Sequence, residues 1–249
     1  AAMCVTHGSA MNDKIFAYCE RGLDPDLLAE PVNAVTNAAF IVAGLAALVL
    51  IRRQPPQGRR LVHIVLAILV IAIGIGSFLF HTHATRWAAI ADVAPIGVFM
   101  LLYFGVAMRS LLRLPLGWAV ALTAAFAVCL WAAGRITCGP GGVVEFAGDG
   151  GRCLNGSVGY LPALVAMVAI GAVLALKRHP AARSLFLASG IFAVSVTFRS
   201  LDQVLCPQTN IAGYLLGTHF LWHTLNGLML FVLARALIAN ASARPAASA

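Results

Sequence analysis

The stretch "LVHIVLAILVIAIGIGSFLFHTHATRWAAIAD", residues 61–92, decides the fold. It opens with an apolar run long enough to cross a bilayer core, which takes about 20 helical residues. Ser77, His81 and His83 then fall at the end of that run, and Asp92 falls just inside the next one. Comparable runs at 31–51, 87–108, 115–134, 159–176, 184–206 and 214–238 bring the number of candidate spans to seven. A backbone amide in hydrocarbon needs a partner within its own segment, so each run predicts a helix. The expectation is an all-α integral membrane protein, a seven-transmembrane-helix bundle over residues 31–238. An acidic segment, 1–30, precedes it and a short tail, 239–249, follows.

Composition supports this reading. Of 249 residues, 61% are hydrophobic and only 10% charged, whereas a soluble domain is about 25% charged. The net charge of +8 would suggest nucleic acid in a soluble chain. Here its distribution argues against such a partner. Arg52, Arg53, Arg59, Arg60, Arg109, Arg113, Lys177, Arg178, Arg183 and Arg244 follow spans 1, 3, 5 or 7, Arg235 lies at the inner end of span 7, and no acidic residue falls in these places. That asymmetry predicts the N-terminus outside and the C-terminus in the cytoplasm. The polar, acidic first thirty residues do not resemble a cleavable signal peptide, and no internal repeat suggests an inverted-repeat transporter. Cys4, Cys19, Cys138, Cys153 and Cys206 map to the outer side, where disulfides are permitted, and Cys129 lies in span 4. Cys138 and Cys153 bracket a glycine-rich loop, where a bridge would contribute about 3 kcal/mol. Spacing alone leaves the connectivity open.

A rise of about 1.5 Å per residue converts the topology into depth. His81 near the outer end of span 2, Asp92 near the outer start of span 3, and His219 and His223 in span 7 then share one layer. His219 and His223 are i and i+4, so both imidazoles leave one helix face. Ser77 stands one turn deeper than His81 on its face. Three imidazoles leave a fourth tetrahedral position for water, the arrangement of a catalytic zinc site. Zinc lowers the pKa of such a water towards about 7. The spacing His-x-x-x-His has no glutamate between the ligands, so Asp92 is the candidate base. A lone intramembrane histidine is often only an interhelical hydrogen bond. Three at one depth with a carboxylate mark function instead. Two histidines one turn apart on one helix cannot be opposite axial ligands of a haem. His83 has the wrong phase to join His81 and is expected at the interface, with His7, His63 and His179.

Ser77-x-x-x-His81, Asp92 early in the next span and His219-x-x-x-His223 in the last resemble the alkaline ceramidase family. That family sits within a wider seven-helix group of metal hydrolases that includes the adiponectin and progestin receptors. The resemblance runs from about Tyr18 to Ile238, and "YCERGLDPDLLAEPVNAVTNAAF" (18–40) looks like its bacterial branch. It implies that His81, His219 and His223 hold zinc, that Asp92 positions or deprotonates the water, and that Ser77 donates to the developing oxyanion or to the metal-bound water. The implied reaction is hydrolysis of the amide of ceramide, or a similar long-chain lipid amide, to a sphingoid base and a fatty acid. The implied place is the outer leaflet of a bacterial plasma membrane. The resemblance also implies disulfides Cys19–Cys206 and Cys138–Cys153, with Cys4 unpaired. Finally, it implies calcium at Tyr18, Glu20 and Glu30. There the match is incomplete: Ala17 and Gly22 replace side-chain ligands, and the segment is one residue shorter. Asp24 or Asp26 would be the substitutes in a stretch rich in the oxygen ligands that calcium takes.

Other polar residues read as structural. Asn33, Thr36 and Asn37 form a stripe on span 1, suited to interhelical hydrogen bonds of about 1 kcal/mol or less each. Arg199 and Asp202, i and i+3, are expected to pair. Tyr160 and the 135–157 loop are candidates for a substrate entrance. The competing functions are a seven-helix receptor or sensor with a structural zinc site and, more weakly, a metal transporter. The short loops and tail count against the first, and the single polar layer counts against the second.

Overall fold

A computed structural model describes residues 11–58, 60–139, 144–146 and 151–240. Cys4, His7, Arg59, Arg244 and residues 241–249 lie outside the described residues. Among the described residues, seven helices are long and apolar enough to cross a membrane, and the chain is an all-α, multi-pass membrane protein.

The first span joins α1 (Pro31–Thr36) to α2 (Ala38–Arg53). Pro31 opens α1 at a position where its missing N–H costs nothing. The ladder tightens at Asn37, whose side-chain Nδ2 donates to the Asn33 carbonyl at 2.8 Å. That carbonyl is therefore taken, and the Asn37 backbone N–H turns to Ala34 instead. After α3 (Leu61–His83) the chain reverses through Ala84, which is left-handed at φ 48°, into α4 (Arg86–Ser110) and then α5 (Leu116–Gly134). A small sheet of β1 (Ile136–Cys138), β2 (Val144–Phe146) and β3 (Gly151–Arg152), ordered β2-β1-β3, leads into α6 (Leu161–Leu176) and α7 (Ala181–Leu201). A two-stranded hairpin, β4 (Asn210–Ile211) with β5 (Tyr214–Leu215), precedes α8 (His219–Ala239).

The last two spans differ from expectation. The sixth was expected to reach residue 206 and the seventh to start at 214, but residues 202–218 form a connection. Its apolar letters read as helix, yet Pro207 removes a donor and Gly213 and Gly217 take φ of 91° and 68°. Cys206, expected at the end of a span, lies in a 3₁₀ turn.

Helix α8 is the most enclosed of the bundle, while α4 and α5 are the most peripheral. Large apolar side chains such as Ile68, Phe78, Val98 and Trp118 face outwards, which suits a lipid surrounding. Close packing depends on small residues. A Cβ on Gly76 would stand 2.1 Å from the Ala91 carbonyl oxygen and 3.1 Å from the Asp92 nitrogen. This glycine lets α3 and α4 touch where Ser77 must meet Asp92. Residues 11–30 lie across the α3–α4 turn, with Ile15 N–H bonded to Ala84 O at 2.7 Å and Trp87 N–H to Met11 O at 3.2 Å. Disulfides join Cys19 to Cys206 and Cys138 to Cys153.

Candidate metal centre

His81 ends α3 while His219 and His223 open α8, and the three meet beneath the N-terminal segment. One ring nitrogen from each lies within 4.8 Å of the others. Each residue is only 1% exposed, so solvent cannot satisfy these nitrogens. His219 Nδ1 and His223 Nε2 have no hydrogen-bond partner. Orphaned, buried nitrogens on converging rings are what a metal-ligand set looks like before the ion is considered.

Partners behind the rings fix their chemistry. His81 Nδ1 donates to Glu30 Oε2 at 2.5 Å, which leaves Nε2 as the lone-pair donor. The Thr36 hydroxyl already donates to the Val32 carbonyl at 2.8 Å. Its oxygen therefore accepts from His223 Nδ1, 3.0 Å away, and again Nε2 is freed. This is the carboxylate–histidine arrangement that orients metal ligands. The Tyr18 ring stacks on His219 at 3.6 Å.

Asp202 sets where α8 begins. It is fully buried and accepts from the backbone N–H groups of Thr218 (2.7 Å), His219 (2.9 Å) and Cys19 (2.9 Å). A carboxylate there satisfies otherwise orphaned helix donors and meets the positive end of the helix dipole. A Cβ on Gly217 would stand 2.3 Å from Asp202 Oδ1, so only glycine leaves the carboxylate its place. The expected Arg199–Asp202 pair does not form. Arg199 points inward instead. Its Nη1 donates to the Tyr18 hydroxyl at 2.8 Å, and its guanidinium lies 5.3–5.6 Å from the rings of Tyr18, Tyr160 and Trp222. Its Nε is buried without a partner.

Ser77 is buried and lies beside the half-buried Asp92, which is within electrostatic reach of His81 and Arg199. The structure thus brings Ser77, His81, Asp92, His219 and His223 to one end of the bundle. His83 stays out, its ring against Trp87. His63, expected at the interface, is buried. A narrow apolar cavity, lined among others by Phe40, Phe99, Tyr160, Trp222 and Met229, runs into the bundle from this layer. Phe40 and Trp222 also border His223 and His219.

The residues implied for calcium are otherwise engaged. Glu20 accepts from Val32 N–H (2.7 Å), Asn33 N–H (2.8 Å) and the Tyr214 hydroxyl, capping α1. Burial pushes its carboxyl above the usual range despite those bonds. Glu30 takes Arg21 Nε on Oε1 (2.5 Å), and His81 Nδ1 and Asn33 Nδ2 (3.2 Å) on Oε2. Burial would raise it, but the bonds and charges of His81 and Arg21 outweigh that and hold it below the usual range. The Tyr18 carbonyl accepts from Gly22 N–H at 3.3 Å. Burial raises the Tyr18 hydroxyl to about 12, although Arg199 opposes this. These groups do not fit calcium: Glu30 is already held by the Arg21 guanidinium, and Glu20 and the Tyr18 carbonyl are spent on hydrogen bonds.

Sequence reasoning did not single out Arg21, and it misread Asp202 and Arg199. The one available signal for Arg21 was a basic residue directly after Glu20 in a stretch otherwise rich in acids. Residues 16–137 match the protein family described as Ceramidase, just under half of the chain. No curated protein matches the chain.

Proposed function

We propose that this chain is a member of the ceramidase family. On this reading it is a zinc-dependent intramembrane hydrolase that cleaves ceramide, or a similar long-chain lipid amide, to a sphingoid base and a fatty acid. The observation that carries the reading is the trio of buried imidazoles with converging nitrogens, those of His219 and His223 lacking any hydrogen-bond partner, set beside Ser77 and Asp92. The family match over residues 16–137 supports the substrate class.

Zinc held by His81, His219 and His223 would supply Lewis acidity and, near neutral pH, an acidified water. Asp92 is the group that takes the proton of the attacking water. It then returns that proton to the amide nitrogen as the C–N bond breaks, so water is consumed and an acid and an amine are released. Ser77, beside Asp92, turns its O–H to the oxygen of the former carbonyl as negative charge builds there. Arg199 places a fixed positive charge within reach of Asp92. The apolar cavity takes a lipid tail, and the charge distribution supports a site in the outer leaflet.

The test is a hydrolysis screen of long-chain amides on purified protein, with and without a zinc chelator. The proposal expects fatty acid release that the chelator abolishes. It is overturned if His81→Ala or His219→Ala removes zinc yet leaves amidase activity intact. Tight lipid binding with no turnover over hours would mark a receptor instead.

A further inference from the structure

We propose that in this chain Arg21 does the work of the divalent cation implied by the resemblance, as a built-in clamp that holds Glu30 against the metal ligand His81. The inference rests on the reading of His81 as a ligand.

A guanidinium has five N–H donors and no acceptor, and all five find oxygen here. Nε meets Glu30 Oε1 at 2.5 Å, and Nη1 meets the carbonyls of Asp24 (3.1 Å) and Asp26 (2.7 Å). Nη2 meets the carbonyls of His81 (2.9 Å) and Thr82 (3.3 Å). A carboxylate and four carbonyls, drawn from the 24–26 turn, the residue before α1 and the end of α3, form the kind of oxygen shell a hard cation collects. In this chain a side chain fills it. Arg21 and Glu30 are each 2% exposed, so the pair is screened from salt. A divalent cation at the same oxygens would face the guanidinium charge directly.

The consequence reaches the site through two atoms of one carboxylate. Oε1 is fixed by Arg21, and Oε2 receives His81 Nδ1. A ligand's tautomer and ring direction depend on such a partner. Arginine stays protonated at any accessible pH, so this support does not vary with the supply of calcium. Arg21 is a positioning residue: it touches no reacting atom and acts through Glu30.

The test uses the full chain in detergent micelles, exchanged into calcium-free buffer with excess zinc and titrated with CaCl2 to millimolar levels. Melting temperature and zinc per chain are read together. Wild type is expected to show neither readout changing with calcium. Arg21→Ala should melt on the order of 5–10 °C lower, as when one partner of a buried pair is removed, and should hold less zinc. Calcium, and not magnesium, should restore part of the melting temperature in that variant alone. Arg21→Lys keeps the charge but reaches fewer oxygens, and should fall between the two. If Arg21→Ala does not fold, the lysine variant and the wild-type titration still decide. The proposal is overturned if calcium raises the stability or zinc content of wild type, if Arg21→Ala or Arg21→Lys melts like wild type, or if calcium fails to stabilise a folded Arg21→Ala. Wild type without zinc would sink the metal reading instead, and the melting data would still judge Arg21.

Discussion

Asp202→Asn isolates what holds His219, the first proposed ligand on α8, in place. Oδ1 of Asp202 accepts from two backbone N–H groups, Thr218 and His219, while Oδ2 accepts from Cys19. Asparagine keeps one oxygen for the helix start, but its amide nitrogen then faces the Cys19 N–H, donor against donor. That orphans one buried donor, at about 1–3 kcal/mol. Removing the charge from the positive end of α8 costs about 1 kcal/mol more. The sum, about 3 kcal/mol, corresponds to a melting temperature lower by roughly 6–12 °C in a chain of this size. Thermal unfolding in micelles, followed by tryptophan fluorescence, measures it. Zinc per chain should fall too, because the neutral amide oxygen holds the His219 N–H more weakly than the carboxylate does. A melting temperature within about 1 °C of wild type, on the scale set by that conversion, would refute the reasoning. So would a matching drop in Arg199→Met with zinc retained, since Asp202 would then be serving as the counter-charge of Arg199.

Asp92→Asn should retain zinc and lose about 10²–10⁴-fold in turnover, and Ser77→Ala should lose about 10²–10³-fold. Full activity in either variant, measured by fatty acid release, would remove that residue from the mechanism. Gly76→Ala must push its Cβ into the Ala91 carbonyl. It should destabilise by about 1–3 kcal/mol and cut turnover while leaving zinc bound, which melting and metal analysis on one sample would show. His83→Ala should change neither zinc content nor turnover, as expected of a residue facing Trp87. His179 Nδ1 accepts the Ala181 N–H at the start of α7, and burial, aided by Arg113, lowers its pKa. This neutral acceptor contributes stability above the usual histidine pKa of 6.5 and loses it as pH falls below that value. A small decline in melting temperature below that pH, absent in His179→Gln, would show it.

The seven spans were legible because hydropathy over about 20 residues is a strong signal wherever backbone groups cannot reach water. Where that signal misled, at 202–218, an apolar sequence conceals two glycines at positive φ and a buried carboxylate. The depth argument placed His81, Asp92, His219 and His223 in one layer, and the structure assembles them at one end of the bundle. It could not see why α3 and α4 approach so closely, because Gly76 carries no side chain to read. Arg199 and Asp202 were misread for another reason. The i, i+3 rule assumes that neighbours on one helix are each other's best partners. Asp202 instead serves backbone donors from residue 19 and from residues 218–219, and Arg199 turns to aromatic rings of the N-terminal segment, the approach to α6, and α8. Arg21 belongs to the same class: its acceptors are mostly carbonyls, which no side-chain pattern reports.

The most direct measurement is the anomalous scattering of crystals of the purified protein at the zinc absorption edge. The account predicts one strong peak per chain, enclosed by His81, His219 and His223, and lost in His219→Ala. A chain without that peak, or with its metal elsewhere, would contradict it.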